Sequence, residues 1–130
     1  RIADCVVELA QDSDVSKQLR SDWPGKLPSD PITVRIGPMA SGASVLADGQ
    51  AVERIADEQN RDLLAVDMEA YAVMAACEYV LDGSFGLVIK SVCDYGDKDK
   101  DDDWQDFSAH TSARFFDILL RSTGIAEIFD

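Results

Sequence analysis

The chain has 130 residues, 46% of them apolar, and a formal net charge of −13. That length buries one core, so one domain or part of one is expected, and no apolar run reaches the ~18–20 residues of a membrane helix. The acidic balance, without any basic cluster, argues against a nucleic-acid partner, because binding there depends on Lys and Arg neutralising phosphates.

The opening stretch RIADCVVELA lacks the basic segment, long apolar core and cleavage site of a secretory leader. It also starts without Met and inside a helical pattern, so the expectation is the remainder of a longer protein. Ile2, Cys5, Val6 and Leu9 recur at helical spacing and predict the end of an amphipathic helix over residues 1–10. A polar stretch broken by Pro24, Gly25, Pro28 and Pro31 follows; it holds a short helix near residues 16–23 and then a loop. Ile32, Val34 and Ile36 alternate with Thr33 and Arg35, the pattern of a half-buried strand that ends at Gly37 and Pro38.

After the small-residue turn MASGAS, a helix is predicted over residues 49–60, with Val52, Ile55 and Ala56 on its inner face. LLAV (63–66) is a short β-prone run. MEAYAVMAACEYVL (68–81) is helix-length and apolar on nearly every side, so a buried helix is expected, broken by Asp82 and Gly83. FGLVIKSVC (85–93) is a near-continuous β-branched and aromatic run, as in a strand covered on both faces. An acidic loop follows. Residues 107–122 then form a helix with Phe107, Thr111, Phe115, Ile118 and Leu119 as its inner stripe and Asp106 placed as its cap. Strands alternate with helices, which predicts an α/β fold of three layers, α/β/α.

Cys5, Cys77 and Cys93 lie far apart in apolar stretches, which fits reduced, buried thiols in a cytoplasmic protein. Asp97, Asp99 and Asp101 alternate as in a calcium loop, but a ~12-residue EF-hand would need glycine at Asp102 and glutamate at Ser108. The run therefore reads as a solvated loop. His110 is the only histidine and no cysteine pair has ligand spacing, so no metal or other cofactor is expected. A Cys93–His110 nucleophilic dyad has nothing in the sequence that would activate the thiol.

Two carboxylates stand out by context. Asp94 ends the most buried predicted strand, and in open α/β sheets ligands collect at the carboxyl ends of strands. Desolvation there raises a carboxyl pKa, so such an aspartate retains a proton to donate. Glu69 lies in the first turn of an otherwise apolar helix, where the dipole favours its anion. As an anion it is acceptor only, and two oxygens suit two neighbouring hydroxyls such as a ribose diol. The competing readings are a helix-start carboxylate for Glu69 and a loop cap for Asp94.

VDMEAYAV, then IKSVCDYGD, with GPMASGASVL upstream, resembles the nucleoside phosphorylase and nucleosidase superfamily from about Ile32 to Leu120. The likeness is nearest to methylthioadenosine/S-adenosylhomocysteine nucleosidase-like modules, including ones fused to signalling proteins. The resemblance implies a mixed central sheet flanked by helices, with residues 1–130 forming the C-terminal part of a single domain. It implies that Met68 packs under a ribose, that Glu69 accepts from the ribose hydroxyls, and that Asp94 protonates the leaving purine. Ser44, Val45 and Leu46 would line the base pocket, with Cys93 beside the acid where serine is often found. The reaction implied is cleavage of an N-glycosidic bond by water, or alternatively by phosphate, in a homo-oligomer; a nucleoside-sensing module is the non-catalytic alternative.

Overall fold

The computed structural model describes residues 2–42, 49–58, 60–80, 86–93 and 104–122. The chain divides into two units, Arg1–Ile36 with Asp103–Asp130, and Gly37–Asp102.

The first unit is helical. Its α1 (Ile2–Gln11) carries Cys5, Val6 and Leu9 half-buried on the face that the spacing predicts. α2 (Ser13–Ser21) starts earlier than expected because Asp12 caps it, its carboxylate accepting from the Asp14 N–H at 2.8 Å. Val15 and Leu19, one helical turn apart, are its buried residues. α5 (Gln105–Arg121), which follows the second unit's α3 (Gly49–Glu58) and α4 (Ala70–Tyr79) in chain order, buries Phe107, Thr111, Phe115 and Leu119 at four-residue intervals, with Ile118 half-buried. The predicted stripe is therefore the packed one. Asp106 is not the cap: the helix begins two residues sooner, Trp104 occupies the cap position, and Asp106 lies in the first turn. There its charge still opposes the positive end of the helix dipole.

α2 packs against α5, and α1 touches both. Leu19 and Leu119 are each 1% exposed, and burying such a side chain is worth about 1.5–3 kcal/mol. Trp23 and Phe107 meet edge to face, with ring centroids 5.6 Å apart, and Trp23 lies 5.2 Å from the His110 ring. The guanidinium of Arg20 donates to the carbonyls of Pro28 and Asp30, at 2.9 and 2.8 Å. That anchors the proline-rich loop to α2. Residues 32–35 show the predicted alternation of half-buried and exposed side chains, but no ladder forms there and Ile36 is exposed.

The second unit is built on two parallel strands, β1 (Met39–Ser41) and β2 (Ala65–Asp67), paired Met39↔Ala65, Ala40↔Val66 and Ser41↔Asp67. Parallel strands need a crossover, and α3 (Gly49–Glu58) lies in it, with Ile55 and Ala56 half-buried. Leu64 N–H donates to the Pro38 carbonyl at 2.9 Å and Gly42 N–H to the Asp67 carbonyl at 3.1 Å, extending the pairing at both ends. Part of the expected MASGAS turn is thus strand. Pairing decides strand formation more than composition does, and the partner register falls on residues 39–41. The 63–66 run shifts to 65–67 for the same reason.

α4 (Ala70–Tyr79) follows β2 after two residues. The expectation of a buried helix is not met: only Ala70 is buried, and Tyr71 and Tyr79 are 67% and 86% exposed. A helix apolar on every side needs neighbours on every side, and most of this one's surface meets solvent. Of the stretch 85–93, expected as a buried strand, residues 86–93 are described and join no strand, with Leu87 and Val92 exposed. Composition alone supplies no ladder partner. The three cysteines are half-buried and outside any disulfide. Among the described residues, no helix is long and apolar enough to cross a membrane. Val52's side chain, Asp82, Gly83 and the acidic run 97–103 lie outside the description.

Candidate functional site

Among the described residues of the second unit, a buried carboxylate and its partners gather where β1 and β2 end. Ser41 is the last residue of β1 and Asp67 the last of β2, and they are register partners. Asp67 is 7% exposed, the one charged side chain buried among the described residues. A buried carboxylate must be hydrogen-bonded or paired, and Asp67 is both. Both oxygens accept from the Ala70 N–H at 3.2 Å, and Oδ2 accepts from the Glu69 N–H at 3.4 Å. The Ser41 hydroxyl bonds to it as well. Lys90 Nζ stands 3.9 Å from Oδ2, an ion-pair contact rather than a hydrogen bond.

These contacts decide its charge. Burial pushes the Asp67 pKa up, but the Ser41 hydroxyl, the Ala70 and Glu69 N–H groups and the Lys90 ammonium together hold it below the ordinary value of 3.8. Ser41 works in two directions: its Oγ also accepts from the Tyr71 N–H at 2.8 Å. Three successive N–H groups at the start of α4, which no helical carbonyl can reach, are thus satisfied by two side chains at the strand ends.

Met68 and Glu69 form the two-residue bridge between Asp67 and α4. Both are exposed, Met68 at 42%. Glu69 stands at the cap position of α4 with right-handed helical dihedrals, and its side chain makes no cap bond. The turn's backbone is therefore fastened from beneath while the Glu69 carboxylate faces outward. Beside it runs a groove of about 410 Å³ lined by Met39 and Ser41 of β1, Ala70, Tyr71 and Met74 of α4, and residues 86–88.

Of the residues singled out in the sequence, Met68 and Glu69 are brought together at the strand ends, and Cys93 is half-buried three residues beyond Lys90. Ser44, Val45, Leu46 and Asp94 lie outside the described residues. Cys93 and His110 fall in different units, and His110 packs on Trp23. Among the described residues, no group of three His, Cys, Asp or Glu is placed to hold a metal.

Sequence reasoning missed Asp67, Ser41 and Lys90. The available signal was an aspartate two and three residues ahead of helix-start N–H groups, the spacing of a cap. Ser41 had no comparable signal, since its role depends on strand register.

The sequence profile of the phosphorylase superfamily matches residues 4–123, nearly the whole chain. The chain belongs to that superfamily, the one that holds the nucleoside phosphorylases and nucleosidases. Among curated proteins it is similar to the uncharacterized protein y4jS of Sinorhizobium fredii, 35% identical over 114 residues, 87% of this chain and 27% of that protein. It is also similar to a nucleotide-binding leucine-rich repeat (NLR)-like protein of Hyaloscypha variabilis, 32% identical over 84 residues, 65% of this chain and 8% of that protein. The chain therefore spans about a quarter of the first relative's length and under a tenth of the second's. No solved structure matches it.

Proposed function

We propose that the chain forms the ribose- and base-handling part of a nucleosidase site that hydrolyses the N-glycosidic bond of an adenine-type purine nucleoside. The observation that carries this reading is the Met68–Glu69 turn, exposed at the carboxyl ends of two parallel strands and fixed by a buried aspartate, in a member of this superfamily.

Glu69, as a carboxylate, accepts hydrogen bonds from both ribose hydroxyls, and Met68 packs under the sugar. Ser44, Val45 and Leu46 line the base, and Cys93 helps orient it. As the bond from the sugar carbon to the base nitrogen lengthens, the sugar gains oxocarbenium character. Asp94 gives its proton to the five-membered-ring nitrogen, so the base leaves as a neutral purine while a water oxygen bonds to the sugar carbon, and the proton this water sheds returns Asp94 to its acid form by way of solvent. General-acid assistance of this kind contributes about 10²–10⁴-fold.

On this reading residues 1–130 are the C-terminal part of one three-layer α/β/α domain. The protein works in the cytoplasm as a homo-oligomer, and the activity belongs to the longer protein. The test is release of free purine from adenosine-type nucleosides by the full-length protein, with and without phosphate. Release independent of phosphate supports hydrolysis. Release that requires phosphate replaces the nucleosidase by a phosphorylase, and no release with any purine nucleoside overturns both.

A second reading, a nucleoside-sensing module, is favoured by the similarity to an NLR-like protein. Calorimetry that finds tight adenosine binding without base release would select it.

A further inference from the structure

We infer that Asp67 is the positioning residue of this site, holding the Met68–Glu69 turn against the end of β1 and against the segment that carries Lys90, and so setting where Glu69 presents its oxygens. The inference rests on the reading of Glu69 as the ribose acceptor.

A plain helix cap needs one side-chain oxygen and one or two N–H groups. Asp67 does more. Its carboxylate takes the N–H groups of Glu69 and Ala70, the hydroxyl of Ser41 and the ammonium of Lys90. These partners come from β1, from the turn itself, from α4 and from residues 86–93. Every one of them is a donor, and only a carboxylate is acceptor at both of its polar atoms. Asparagine caps a helix as well as aspartate, yet its amide nitrogen would set a donor against one of these donors and remove the charge that faces Lys90. The chemistry therefore selects aspartate for the joint and not for the cap alone.

The joint lies at the proposed ribose acceptor. The Glu69 N–H that bonds to Asp67 belongs to the residue proposed to hold the ribose. Lys90 precedes the proposed acid, Asp94, by four residues along the chain. A displacement of the turn moves the Glu69 carboxylate away from the ribose hydroxyls it is proposed to hold, so the loss falls first on substrate binding.

The experiment uses the full-length protein and compares Asp67→Asn, Lys90→Met, Lys90→Arg and the Asp67→Asn/Lys90→Met pair with Glu69→Gln. Steady-state kinetics on an adenosine-type nucleoside are run with backbone amide exchange over residues 69–71. The expected result is a KM raised about tenfold or more in Asp67→Asn, with a smaller change in kcat. Lys90→Met should lie between it and the parent, Lys90→Arg should keep the parent KM, and the pair should be no worse than Asp67→Asn alone. Amide exchange at residues 69–71 should quicken in Asp67→Asn. A lowered melting temperature with unchanged KM and unchanged exchange would reduce Asp67 to a structural cap and overturn the inference. If Glu69→Gln leaves KM untouched, the ribose reading fails, and exchange at residues 69–71 then decides the joint by itself: faster exchange upholds it and unchanged exchange overturns it.

Discussion

Ser41 and Asp67 end neighbouring parallel strands in direct register, and together they satisfy three consecutive N–H groups at the start of α4. Their pairing turns a strand end into a fixed platform for the exposed Met68–Glu69 turn. Replacing Ser41 by alanine removes one donor to Asp67 and the acceptor of the Tyr71 N–H. Tyr71 is exposed, so water takes over its N–H, while buried Asp67 loses a partner outright. The expected cost is about 0.5–1.5 kcal/mol in a urea titration.

Acid stability should carry the signature of Asp67. Burial raises its pKa, but the Ser41 hydroxyl, the two N–H groups and Lys90 outweigh it, and the folded value lies below the ordinary 3.8. The unfolded chain therefore binds this proton more readily than the folded one. The stabilisation is fully present above the unfolded value and is lost as pH falls through the folded value. Urea midpoints of the parent and Asp67→Asn should differ by a constant amount from pH 7 down to about pH 4, and the gap should narrow below that. A gap that widens on acidification would contradict the assignment.

The helical unit depends on the facing stripes of α2 and α5. Leu19 and Leu119 are its two most fully buried side chains. Truncating either to alanine should cost about 2–5 kcal/mol, read as a fall in denaturant midpoint without a change in slope. The neighbouring Leu120 is 50% exposed on the outer face of α5, so Leu120→Ala leaves no cavity and should be nearly neutral by the same measurement.

The helices were legible because their signal is local. Four-residue spacing of Phe107, Thr111, Phe115 and Leu119 states a buried face regardless of what covers it. The strands were legible only in part: the 63–66 run overlaps β2, but a three-residue strand such as Met39–Ser41 has too little alternation to read, and pairing sets its limits. Ile32–Ile36 shows the converse, with alternation and no ladder. In the candidate site, the position of Glu69 at the head of an apolar helix was legible. Asp67 was hidden in the same motif because its importance comes from Ser41 and Lys90, 26 and 23 residues away along the chain. Lys90 reads as one polar residue in an apolar run until its ion pair is seen.

Glu69→Gln separates binding from folding. The side chain is exposed and makes no cap bond, so thermal stability should be unchanged. In the proposed role, loss of a charged acceptor for the ribose hydroxyls is worth about 1.5–3 kcal/mol, or roughly 10- to 150-fold in kcat/KM. A drop in melting temperature with full activity would reverse these roles.

The most direct measurement is the rate of free-purine release from an adenosine-type nucleoside by the full-length protein and by its Asp94→Asn variant. A leaving base protonated by Asp94 predicts a loss of about 10²–10⁴-fold in the variant, with nucleoside still bound. Equal rates in the two proteins would contradict the account.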